Sequence, residues 1–307
     1  MAWLSGYGKQ KVISITGQTG AGTDYQVKFS IGSTSGGDFH LEGHALSFPH
    51  DIRFTDNDQT TQLDFWIEDL TLDPITAWVE VKDDLGSNVD ICCYYGKADD
   101  TTASNGDNTF LFFDHFLGSS VDTEKWTVTN APTVADSIIT LDNNEKIVGK
   151  SNYGIGYACR SKTALFSPSG TGPYAVIRFR SIADGEYGSY FDSNNAYQGE
   201  YKTLTYHTTG ATETIITSDS SYHIRDINKI SSTLSKFYID AALVATHTTN
   251  IGDGAGPLEL RGDGAGWISA DWVLVRKCIA TEPAFSSAGA EESAPVPCAA
   301  RSFGVIF

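Results

Sequence analysis

The sequence predicts an all-β protein: two β-sandwich domains in tandem, followed by a short C-terminal tail. Three observations predict this. Apolar and polar residues alternate over strand lengths, as in YAVIRFR (Tyr174–Arg180), YKTLTYH (Tyr201–His207) and Phe237–Ile239, which turns one strand face to a core and the other to solvent. No stretch of helical length carries a 3.6-residue apolar period. At 307 residues the chain exceeds the usual size of one domain, and each half is long enough to bury its own core.

The first domain is placed at residues 1–106. Its segments DIRFTDNDQTTQLDFWIEDL, AWVEV and DICCYYGKA, between Asp51 and Ala98, form a meander of short antiparallel strands separated by Asp/Asn-rich turns. Together with the opening WLSGYGKQKVISITG and DYQVKF, they resemble the DUF2341 family over roughly the first third of the chain. That family's function is uncharacterised. Trp66, Trp78, Tyr94 and Tyr95 recur on successive strands, as a core or an inter-domain seam requires.

The second domain is placed at residues 107–283. FLFFDHFLGSSVDTEKWTV (Phe110–Val128), KFYIDAALVATHTTN (Lys236–Asn250) and ISADWVLVRK (Ile268–Lys277) resemble a concanavalin A-like, or laminin-G-like, domain. The resemblance implies a jelly-roll-like sandwich. One departure is Ala241-Ala242 after Asp240, where the pattern favours Gly and the turn type is left open.

Residues 284–307 change character: AFSSAGAEESAPVP has linker composition, and the apolar CAARSFGVIF follows. Phe303, Val305 and Phe307 are candidate assembly residues, suited to strand addition on a neighbouring subunit, with folding back on the same chain as the alternative.

The formal net charge is −17, from 38 acidic and 21 basic residues, which argues against nucleic acid as a partner. No apolar run is long enough for membrane insertion. Met1 is followed almost at once by the first motif, so no Sec-type signal is visible. Cys92, Cys93, Cys159, Cys278 and Cys298 lack metal-finger spacing and read as buried free thiols. Cys92 and Cys93 should point to opposite strand faces.

Several constellations could carry chemistry. Tyr187, Tyr190, Tyr197, Tyr201 and Tyr206 crowd one stretch, and Trp267 flanks a glycine turn; such rings suit a sugar's C–H face, although strand packing uses them equally. Asp184, Asp192, Asn194 and Asn195 form a second set of oxygen donors, and Asp56 and Asp58 imitate the start of a calcium loop. Ca²⁺ is therefore the one cofactor the sequence suggests. Thr61 and Ile67 stand where an EF-hand needs Gly and Glu, so an Asx turn is the plainer reading of Asp56 and Asp58. His40, Glu42 and His44 lack zinc-site spacing. The repeated GDGAG marks glycine turns, and Arg261-Gly262-Asp263 reads as chance.

Concanavalin A-like hydrolases write paired carboxylates as E-x-D-x-E or E-x-D-x-x-E, and neither is present; Glu259 and Asp263 are read as split by a turn at Gly262. No catalytic residue is assigned. The expectation is a non-enzymatic surface or virion attachment protein whose second domain binds a glycan or a cell-surface receptor. The alternatives are a structural virion decoration or fibre subunit, forming homo-oligomers or joining other virion proteins, and a glycan hydrolase. A virion or extracellular surface is the expected location.

Overall fold

The computed structural model describes residues 3–167, 174–181, 187–194, 200–208 and 210–295. These are almost entirely β-strand, with one short helix, Gly106–Thr109. The chain divides into two compact units, Met1–Asn105 with Pro283–Phe307, and Gly106–Glu282. No described helix is long and apolar enough to cross a membrane.

In the first unit, one sheet runs in the order Ala284–Ala288, Lys9–Thr16, Val89–Tyr95, Arg53–Asp56 and Gln62–Leu63, and Glu292–Ser293 also pairs with Lys9–Thr16. The other runs Phe39–His40, Tyr25–Gly32, Ile75–Val81 and Phe65–Ile67. Phe29 stacks on Phe54 of the first sheet at 6.3 Å, and Phe54 meets Phe65 edge-on at 5.3 Å. Trp66 lies opposite Trp78 in the strand register, and both are buried with Tyr94 and Tyr95.

Composition misread the segment after Pro283. Instead of a linker, Ala284–Ala288 is an antiparallel strand on Lys9–Thr16, with Phe285 stacked on Phe39 at 5.9 Å. Glu291 then accepts from Lys9 Nζ at 2.7 Å and Tyr95 Oη at 3.0 Å, and lies 2.7 Å from His44 Nδ1. The edge of Lys9–Thr16 has unpaired backbone groups to satisfy, and small residues around one Phe can satisfy them despite a linker-like composition. Phe303, Val305 and Phe307 lie outside the described residues.

Cys92 and Cys93 do point to opposite faces, but both are buried. The second face is covered by Trp3, Leu4 and Tyr7, which make a satellite cluster with Cys92 and Tyr94. Cys159 and Cys278 are buried free thiols as well.

The second unit is a sandwich of a seven-stranded and an eight-stranded sheet. The first runs Trp126–Thr129, Lys146–Tyr153, Gly256–Asp263, Tyr174–Ser181, Tyr187–Asn194, Glu200–His207 and Gly210–Ile216. The second runs Thr133–Ala135, Ile138–Leu141, Trp267–Lys277, Tyr157–Phe166, His223–Ser231, Leu234–Ile239 and Ala242–His247, with Phe112–Asp114 also on Trp267–Lys277. Ile147, Ile177, Phe179, Phe191, Phe237, Leu258 and Leu260 fill the space between them.

The phrase around Asp114 and Trp126 now has a physical reason. The buried Asp114 carboxylate accepts from Trp126 Nε1 at 2.6 Å and from the Phe116 amide at 2.8 Å, locking the indole between Phe112 and Phe116. The Asp240-Ala241 hairpin also resolves. Ile239 pairs with Ala242, and the two loop residues have φ of 48° and 65°, the pattern of a type I′ turn. Ala241 thus holds a left-handed conformation that glycine would adopt without strain.

Candidate functional site

Strand alternation sorts the seven-stranded sheet into two faces. Ile177, Phe179, Phe191, Leu258 and Leu260 belong to the core, so their neighbours Arg178, Arg180, Tyr190, Asp192 and Glu259 lie on the outer face. The register extends this face: Asp192 is opposite Lys202, Tyr190 is opposite Leu204, and Leu204 is opposite Glu213. Tyr206, two residues beyond Leu204, shares it.

These charged groups are largely buried. Glu259 is 0 % exposed and pairs with Arg178 Nη2 at 2.8 Å and Arg180 Nη1 at 3.3 Å. Lys202 Nζ lies 3.3 Å from Glu213 Oε2, and that glutamate side chain is 48 % exposed. Asp192 is only 8 % exposed, and its Oδ1 has no hydrogen-bond partner among the described residues. Burial pushes its carboxyl up to about 7; Lys202 and Arg178 oppose the rise, and Glu213 adds to it. Tyr190 is also raised, by burial and then by Asp192. One carboxyl of this face is thus raised toward neutral pH, and a second, two strands away, is open to water.

The sequence candidates are distributed unevenly around this cluster. Tyr190, Tyr206 and Asp192 share the outer face. Tyr201 does not; being odd in the same strand, it turns inward and donates to the Leu165 carbonyl at 3.1 Å. Trp267 stands on the other sheet, stacked on Phe166 at 5.7 Å. Tyr187 and Asn194 occupy the ends of the Tyr187–Asn194 strand. Tyr197, Asp184 and Asn195 lie outside the described residues. Asp192 is a mid-strand residue rather than part of a ligand loop, because the alternation of Phe191, Asp192 and Ser193 simply continues through FDSN.

Asp58 accepts from the Thr60 and Thr61 amides, each at 2.8 Å, and from Thr61 Oγ1 at 2.6 Å, while Asp56 Oδ1 accepts from the Asn57 amide at 2.6 Å. These turn bonds occupy lone pairs that a cation would use. Among the described residues, no group of three or more His, Cys, Asp or Glu is arranged to hold a metal. Glu42 pairs with Lys11 at 2.8 Å and His44 Nδ1 lies 2.7 Å from Glu291, so two of the HLEGH side chains have protein partners.

Glu259 and Asp263 are not divided by a turn. Both lie in the continuous strand Gly256–Asp263 and on one face. Gly262 is there because a Cβ would meet the Leu141 carbonyl oxygen at 2.2 Å. Their four-residue spacing nevertheless separates them by roughly 13 Å along the strand. Sequence reading missed Lys202 and Glu213 because the face joins residues from different strands; the alternation in YKTLTYH and ATETII was the available signal.

Residues 49–129 match the family DUF2341, a domain of unknown function. No curated protein matches the chain. Solved structures similar to it include a β-1,3-glucanase from Mycobacterium marinum, with 16 % identity, 55 % of this chain and 99 % of that chain covered, and a TM-score of 0.44. A β-glucanase from Bacillus licheniformis has 14 % identity, coverage of 54 % and 98 %, and a TM-score of 0.44. An endo-β-1,3-glucanase from Pyrococcus furiosus has 13 % identity, coverage of 58 % and 95 %, and a TM-score of 0.43. At these identities the likeness concerns the fold, a concanavalin A-like jelly roll. It corrects one expectation drawn from the sequence: similar structures are mostly glycan hydrolases, so the assignment as a non-enzyme is withdrawn. Neither the family match nor the fold supports a virion, tail-fibre or adhesion role.

Proposed function

We propose that the second unit is a glycan hydrolase working on the outer face of its seven-stranded sheet. The observation that carries this reading is Asp192: a carboxyl 8 % exposed, with Oδ1 unpartnered among the described residues, set beside Tyr190 on a sheet face. A carboxylic acid that keeps its proton near neutral pH is what protonation of a glycosidic oxygen needs. Glu213 is the second group. It stands two strands away and two residues along, so the Cα atoms are separated by roughly 12 Å.

That separation suits an inverting pair, with room for a water, better than a retaining pair. Asp192 gives its proton to the leaving oxygen as the glycosidic C–O bond breaks. Glu213 takes a proton from water as the new C–O bond forms on the opposite face of the sugar. Tyr190 and Tyr206 supply ring surface for the sugar's C–H groups.

The test is release of reducing ends from a panel of soluble polysaccharides by the full chain and by Asp192→Asn, with the anomer of the first product read by NMR. Cleavage with inversion, lost in the variant, supports the reading. No cleavage of any polysaccharide, or equal cleavage by the variant, refutes it.

A further inference from the structure

We infer that Lys202 is a positioning residue of this site, setting how readily the buried Asp192 carboxyl gives up its proton. The inference rests on the hydrolase reading above and extends it to a side chain given no step in it. Lys202 is directly opposite Asp192 in the strand register, and its Nζ lies 3.3 Å from Glu213 Oε2. Its side chain is 9 % exposed, whereas that of Glu213 is 48 % exposed. The strand of Lys202 lies between those of the two carboxyl groups, and its head is held by the one that reaches water. Asp192 feels the charge through space, which opposes the rise that burial causes, and retains an oxygen without a partner among the described residues.

The asymmetry has a chemical consequence. Burial already separates the two carboxyl groups, since Asp192 is 8 % exposed and the Glu213 side chain 48 %. The Lys202 cation limits how far the buried one rises. Holding the Lys202 head at Glu213 keeps its charge on the face shared with Asp192, so that the acid is not tied too tightly to its proton. Its long stem crosses the face beside Ile215, the residue opposite it on the Gly210–Ile216 strand.

Lys202→Met replaces the cation by a chain of similar length, and Lys202→Arg retains it. Each is compared with the full-length wild type in two measurements: the pH–rate profile on a cleaved polysaccharide, and the titration of the Asp192 carboxyl carbon by NMR. Lys202→Met is expected to lower kcat about tenfold with KM within about twofold, and to move the Asp192 midpoint upward by about one pH unit, since an opposing cation has been removed. Lys202→Arg restores both. An unchanged Asp192 midpoint in a folded Lys202→Met protein overturns the inference, as does an arginine variant that behaves like the methionine one. If the wild type cleaves no polysaccharide, the hydrolase reading falls on that result alone, while the NMR titration still decides whether Lys202 governs Asp192.

Discussion

Each unit sets a tyrosine beside a nearly buried aspartate, Tyr7 with Asp100 in the first and Tyr190 with Asp192 in the second, and the two pairs behave in opposite ways. Asp100 accepts from Tyr7 Oη at 2.6 Å and Lys97 Nζ at 3.1 Å, and pairs with Arg53 Nη2 at 3.0 Å. Burial alone would raise its carboxyl, but these donors together hold it below the usual carboxylate range. Lys97 also lies 5.1 Å from the Tyr7 ring centroid, which ties the tyrosine into the same network. Asp192 exposes about as little surface but lies deeper, with fewer donors among the described residues, and its carboxyl rises instead. Burial by itself therefore does not mark a reactive group. What distinguishes the two is depth together with whether the oxygens are satisfied: a saturated carboxylate stabilises a fold, and a deep, unsatisfied one is available for proton transfer.

The largest effect that could break this contrast is on catalysis. Asp192→Asn is expected to reduce glycan cleavage by roughly 10²- to 10⁴-fold, whereas Asp100→Asn leaves the rate within about twofold. Equal losses in both variants would erase the distinction.

Next in size is the dependence of stability on pH, where the two aspartates have opposite signs. Asp192 is raised in the fold, so the unfolded chain ionises first. The penalty is absent below the unfolded value near 4, grows as the pH rises, and is complete above about 7, amounting to a few kcal/mol. Asp100 is lowered, so its stabilisation is present above the unfolded value and is lost as the pH falls through the folded one. Urea melts between pH 3 and 8 should show Asp192→Asn flattening the loss toward neutrality and Asp100→Asn flattening the loss toward acid.

A smaller effect separates the tyrosines. Tyr7→Phe removes a donor from a buried carboxylate and should lower the stability of the first unit by about 1–2 kcal/mol, with Tyr190→Phe below about 0.5 kcal/mol. The smallest is a control outside both clusters. Ala241→Gly relieves a left-handed alanine and should stabilise the second unit by about 1 kcal/mol with unchanged activity, separating stability from chemistry.

Much of the fold was legible because strand alternation is a local property. YAVIRFR and YKTLTYH became strands with the faces their pattern implies, and the aromatic residues of FLFFDHF closed on Trp126. The site was legible only in part. Asp192 and Tyr190 stood out within one segment, but Glu213 joins them through two register relationships that no spacing in the chain encodes. The same limit explains Ala284–Ala288, whose partner strand lies more than 260 residues earlier in the sequence.

That returning strand bears on how the molecule is made. Residues 106–282 form a unit set between the two pieces of the other, so synthesis delivers all of the second unit before the strand that completes the sheet of the first. The first unit must wait on the ribosome with the edge of Lys9–Thr16 open, and closing it is a contact of very long sequence separation, the kind that forms slowly. The second unit has no such dependence. The order of folding during synthesis is therefore the reverse of the order in which the units begin to emerge: the later one can finish while the earlier one is still incomplete.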